Sequence, residues 1–127
     1  IASTVKKTAA ASDDVLLGSA RRRLAMLAAG GCTTVEVKTG YGLDVPSELR
    51  LLGLAAKLGE GQGVRVVPTL LALHAIPADK KDSRAHYLNE IVDKLIPAAA
   101  KARSTAIVDA YCDTIAFTPA EVERLFK

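Results

Sequence analysis

Aromatic side chains are scarce: tryptophan is absent from the 127 residues, which hold three tyrosines, two phenylalanines and two histidines. So few rings leave no stacking platforms of the kind single-strand nucleic-acid binders use. Two histidines, with neither an HxH pair nor an HExxH helix, do not supply the three or four ligands of a zinc site. Cys32 and Cys112 stand far apart with no CxxC between them, each at or inside an expected strand. They read as buried free thiols in a reducing compartment, with one disulfide as the alternative. No apolar run approaches the roughly 20 residues of a membrane span. The opening stretch IASTVKKTAAASDD lacks the apolar core of a signal peptide, so the expected location is cytoplasmic. The first residue is not methionine, which implies that the natural N-terminus lies upstream. There is no GxSxG, and GEGQG follows a helix and precedes a strand, the reverse of a phosphate-binding order, so it reads as a connector.

Apolar residues make up 50% of the chain, ample for the core of one domain. The net charge is +3 and the charges are interleaved, except at Arg21-Arg22-Arg23 and Lys80-Lys81. Three consecutive arginines wrap around a helix, which favours a solvated surface over a nucleic-acid patch.

Ser12, with Asp13 and Asp14 behind it, predicts a helix start, and Leu16, Ala20, Leu24 and Leu27 continue it to Gly30-Gly31. A strand is expected over 33–39. Pro46 suits a first helical turn, with Leu49, Leu52 and Ala56 on the apolar face. The run VRVVPTLLALHAIP predicts a strand covered on both sides, in which Pro68 demands a bulge, an edge or a late start. A third helix follows over 82–102, capped by Asp82 or Ser83, with Leu88, Ile91, Val92 and Leu95 inward and Pro97 kinking it or opening a second segment. AIVDAYCD reads as a strand, and Thr118, Pro119 and Glu121 form a capping box for the last helix.

Strands alternating with amphipathic helices imply right-handed βαβ units and a parallel sheet, either doubly wound or closed as a (β/α)₈ barrel. The strand VEVKTGYG discriminates between them. Val35 and Val37 would pack on helices, while Thr34, Glu36 and Lys38 take the other face, which a barrel uses as its polar interior. Three βα units cannot close a barrel of roughly 250 residues, so the expected fold is α/β, a partial (β/α)₈ barrel.

Ligands of parallel α/β folds lie beyond the carboxyl ends of the strands, where Lys38, Tyr41, His74 and Asp113 could converge. Each has a plainer reading. His74 could be a hydrogen-bonded core histidine, Tyr41 a turn aromatic, Asp113 a turn cap, and Glu36 with Lys38 a structural ion pair. His86 sits on a helix flank and reads as surface.

The stretches GCTTVEVKTGYGLD, LHAIP and IAFTPAEVERLF resemble the imidazolonepropionase family of the amidohydrolase superfamily, and the resemblance spans nearly all of the chain. The family pattern reads TTVEIKSGYGL and GAHALP, so Thr39 replaces a serine and LALHAIP lacks a glycine before its histidine. The resemblance implies a metal-dependent barrel hydrolase that opens the ring of 4-imidazolone-5-propanoate to N-formimino-L-glutamate with zinc or iron. It implies that the strands are the second to fourth, residues 1–127 being an internal fragment of the barrel domain and inactive alone. The metal ligands, on the first, fifth and eighth strands, have no counterpart here, and the family's arginine would lie upstream of Ile1. By position, Tyr41 matches a substrate-contacting tyrosine, and His74 a histidine near the substrate carbonyl, which makes it the candidate for catalysis and binding. The implied partner is a small molecule, not nucleic acid or membrane, with a homodimer of the parent left open. Alternatives are another cyclic-amide amidohydrolase and a noncatalytic half-barrel interaction domain.

Overall fold

A computed structural model describes residues 1–102, 105 and 107–127. Helix starts follow the local chemistry. Ser12 Oγ accepts the Val15 N–H (3.4 Å) at the head of α2 (Asp13–Ala29), behind α1 (Ala2–Ala10). The Asp44 carboxylate accepts from Ser47 N (2.8 Å) at the head of α3 (Val45–Leu58), with Pro46 in the first turn. The region expected to be one helix from Asp82 or Ser83 is instead a 3₁₀ turn (Ala78–Ser83), α4 (Arg84–Glu90), a π-helical turn (Ile91–Leu95) and α5 (Ile96–Ala102). Pro97 is the second residue of α5, so its missing N–H falls where the widened turn hands over to an α-helix. The expected break is thus a change of helical pitch. Thr118 and Glu121 complete the capping box of α6 (Pro119–Leu125).

Between these helices lie β1 (Thr34–Lys38), β2 (Arg65–Leu73) and β3 (Val108–Ala110), parallel and in the order β1-β2-β3. The strands are shorter than expected. β2 stops before His74, and Tyr111 to Asp113 lie beyond β3, Cys112 making only an isolated bridge to Phe117; Ala106 is outside the described residues. Pro68 sits within β2, opposite Val37. Its backbone faces the β3 side before that ladder begins at Leu70 and Val108, so no ladder donor is lost, and its carbonyl accepts from Thr105 Oγ1 (2.5 Å).

The two sheet faces differ in chemistry. Val35, Val37 and Val66 pack with Leu24 of α2 and Leu58 of α3. Leu70 and Ala72 pack with Leu52 of α3, Leu88 of α4, and Ile91 and Leu95 of the π-helical turn. The opposite face carries Glu36, Lys38, Thr69 and Asp109. A doubly wound sheet would cover both faces with helices; here one is covered and the other polar, the pattern of a partial (β/α)₈ barrel. β1 is accordingly open on its polar side: the Glu36 and Lys38 side chains are 45% and 41% exposed.

Several expectations of burial fail. Cys32 and Cys112 are both free but exposed, because each lies in the connection outside its strand. Leu27 and Ala56 face solvent, Leu54 and Ala55 taking the buried positions of α3. Arg21, Arg22, Arg23 and His86 lie at the surface as expected.

Arg84 ties the segment after β3 to the helical layer. Its Nε and Nη2 donate to the two oxygens of Glu121 (2.5 Å each) and Nη2 also to the Ala116 carbonyl (2.7 Å), while the guanidinium sits 5.3 Å from the Phe117 ring centroid. That guanidinium, with the Thr118 bonds, holds the Glu121 carboxyl down at about 2 from 4.5. A depressed carboxyl contributes stability above its unfolded pKa and loses it as pH falls through the folded one. Glu121→Gln is therefore expected to cost on the order of 1–2 kcal/mol at pH 7 and progressively less from pH 4.5 toward 2. Urea midpoints of both proteins at pH 7 and 3 check this; an unchanged gap would remove the ion pair as the cause.

Candidate active site

The loop leaving β1 is held by one buried carboxylate. Glu48, 2% exposed in the first turn of α3, accepts N–H bonds from Gly40 (2.8 Å), Gly42 (2.6 Å) and Leu43 (2.9 Å). Three backbone donors, that of Gly40 buried and those of Gly42 and Leu43 half-buried, thus share one anion near a helix N-terminus. The glycines are there for space. A Cβ on Gly42 would lie 2.6 Å from Glu48 N, and one on Gly40, at φ +104°, 2.9 Å from His74 Cβ. Leu43 is itself left-handed at φ 61°. This is strain of order 1 kcal/mol beside the Tyr41 turn.

His74 reaches the loop through a β-bulge. The β2–β3 register runs Leu70–Val108, Leu71–Asp109, then Leu73–Ala110, so Ala72 is an extra residue. Ala72 and Leu73 both enter the helix-side core, which shifts the alternation by one and turns His74 out of that core. Its Nδ1–H donates to the Gly40 carbonyl (2.6 Å), since a carbonyl can only accept. That assigns Nε2 to accept a proton or, in the cation, to donate one. The Tyr41 ring stands edge-on to the imidazole at 4.8 Å and Tyr111 lies at 6.3 Å.

His74 and Tyr111 open onto a cavity of about 340 Å³ whose wall includes Ile76, Lys81, Arg84 and Ala116. Tyr41 borders a different groove of about 520 Å³, shared by α1, α2 and α3. Gly40→Ala is expected to destabilise the protein by about 1–3 kcal/mol and to displace His74. A crystal structure of the variant with Nδ1 still bonded to residue 40 would contradict this.

Lys38 points elsewhere. Its Nζ donates to Asp109 Oδ2 (2.6 Å) and Glu36 Oε1 (2.9 Å), and Thr69 Oγ1 donates to the same Glu36 oxygen (2.7 Å). One lysine thereby joins β1 to β3 across β2 on the open polar face. Asp109 and then Glu36 push the lysine up, Thr69 and Lys38 pull Glu36 down, and Lys38 lowers Asp109. The plainer reading of the Glu36–Lys38 pair is the observed one. Asp113 likewise caps its own turn, accepting from Thr114 Oγ1 (3.0 Å) and Ile115 N (3.2 Å).

Of the four residues expected to converge, Tyr41 and His74 meet. Glu48, Asp109 and Tyr111 were not anticipated. Asp109 had a usable signal, an aspartate in the middle of an apolar strand, whereas Glu48 looks like any first-turn acid.

Among the described residues no three His, Cys, Asp or Glu side chains gather as a group that could hold a metal ion. No helix among them is long and apolar enough to cross a membrane. No family model matches the chain. An imidazolonepropionase of Pseudomonas savastanoi pv. phaseolicola is 48% identical over 99% of the chain and 31% of its own length. One of Idiomarina loihiensis is 43% identical over 100% of the chain and 31% of its own length. One of Pseudomonas entomophila is 47% identical over 99% and 31%. The chain thus spans about a third of the length of the curated relatives it matches.

Proposed function

Because the chain belongs by sequence with the imidazolonepropionases, matching about a third of their length, we propose that residues 1–127 are a piece of a barrel domain that hydrolyses the ring C–N bond of 4-imidazolone-5-propanoate to N-formimino-L-glutamate. The observation that carries this reading is the meeting of Tyr41 and His74 beyond the carboxyl ends of adjacent parallel strands. A zinc or iron ion of such an enzyme would take its ligands from residues outside these 127.

His74 is the residue on which the chemistry of this segment rests. With Nδ1–H fixed on the Gly40 carbonyl, the ring orientation is set and Nε2 faces away from the backbone. A protonated Nε2 would donate to the ring carbonyl oxygen of the substrate, drawing electrons from the carbon as water attacks. Neutral, it would instead orient that water. Tyr41 braces the imidazole edge and would contact a substrate that reaches past His74 toward its own groove, while Glu48 holds the loop that positions both. The Lys38 network lies on the inner wall and keeps the three strands in register.

The test is incubation of the purified full-length gene product with 4-imidazolone-5-propanoate and assay of N-formimino-L-glutamate. Formation of that product is the expected result. Hydrolysis of other cyclic amides in its place would reassign the substrate, and an inert protein would leave the noncatalytic interaction domain.

A further inference from the structure

The part of the His74 cavity that this chain supplies is cationic at its border. Among the described residues no carboxylate borders it, while two cationic side chains do, Lys81 from the 3₁₀ turn after β2 and Arg84 from the head of α4. The two differ in availability. Arg84 is neutralised by two bonds to Glu121, and a third bond takes it to the Ala116 carbonyl. Lys80, next in sequence, is bound to Glu90 (2.6 Å). Lys81 is exposed and makes no ion pair among the described residues. Its charge is thus not neutralised by an ion pair among the described residues, at the mouth of a pocket walled by Ile76, Ala116, the Tyr111 ring and the imidazole. Such a wall accepts a small, flat body, and such a mouth attracts an anionic tail.

We propose that Lys81 is a specificity residue that draws the carboxylate end of the substrate into the His74 pocket. The inference rests on the reaction proposed above, whose substrate pairs a planar ring with a propanoate. An exposed lysine acts through the field it adds to a low-dielectric cleft, raising the encounter rate and the bound fraction without touching the reacting atoms. Its effect belongs in KM and fades with salt as the screening length shortens from about 10 Å at 0.1 M to about 3 Å at 1 M.

The experiment compares the full-length protein with its Lys81→Met, Lys81→Glu and Lys81→Arg variants at low and high ionic strength. Lys81→Met is expected to lower kcat/KM by about 3- to 10-fold at low salt, through KM with kcat kept. Lys81→Glu should lower it further, Lys81→Arg should restore it, and all four should converge near 1 M salt. An unchanged kcat/KM for Lys81→Met, or a loss carried by kcat, would overturn the proposal. Calorimetric binding of imidazole-4-propanoate, which has the tail but no ring carbonyl, separates the two readings. A wild-type protein without turnover that binds this probe in a Lys81-dependent way would sink the reaction and keep the lysine. Turnover with Lys81-independent binding would do the reverse.

Discussion

Glu48→Ala is expected to be the most destabilising single change in the chain, by about 3–5 kcal/mol, because it strips three backbone N–H groups of one buried anion at once. Against a typical total of about 5–15 kcal/mol, that is enough to unfold a marginal domain. Glu48→Gln should fall between. Its amide oxygen can keep Gly42 and Leu43, which share Oε1 in the wild type, but its NH₂ then meets the Gly40 N–H donor to donor. The predicted order of thermal midpoints in the full-length protein is therefore Glu, then Gln, then Ala. Equal midpoints would show that the loop is held by something else. Because Gly40 also seats His74, the Gln variant should lose activity before it loses structure.

The second large effect is on turnover. His74→Ala is expected to reduce kcat by about 10²- to 10³-fold, the range for removing a positioned acid or oxyanion donor. Stability should change by only about 1 kcal/mol, one hydrogen bond. Circular dichroism and a thermal midpoint near wild type, with kcat measured on 4-imidazolone-5-propanoate, separate the two effects. Turnover within a few-fold of wild type would take His74 out of the chemistry and leave it as a packing residue.

Much of the frame was legible because its signals are local. Ser12, Pro46 and the Thr118–Glu121 pair mark helix starts by side-chain chemistry within three or four residues, and all three do so in the structure. The alternation of Val35 and Val37 with Glu36 and Lys38 separated the two sheet faces. What stayed hidden depends on distant partners. The Lys38–Asp109 bond joins residues 71 apart, and the Arg84–Glu121 pair joins residues 37 apart. α1 buries no residue and its start at Ile1 has no capping side chain, so it lacks the local mark that announces α2, α3 and α6. The bulge at Ala72 is set by how β3 lies against β2, and without it the alternation would aim His74 into the helical layer. The strand end singled out His74 as a candidate; it did not show which way the ring turns.

The sheet order carries a consequence for biosynthesis. Strands that begin at residues 34, 65 and 108 lie side by side in that same order. β2 and β3 therefore each leave the ribosome with their template already made, whereas a doubly wound sheet adds strands on alternate sides of a centre. At about 5–20 residues per second the interval between strands is a matter of seconds, long compared with the microseconds of helix formation. The intervening helix can thus fold and cover the apolar face before the next edge arrives. Assembly can proceed vectorially: β3 docks on the edge that β2 leaves open, while among the described residues the outer edge of β1 stays unpaired.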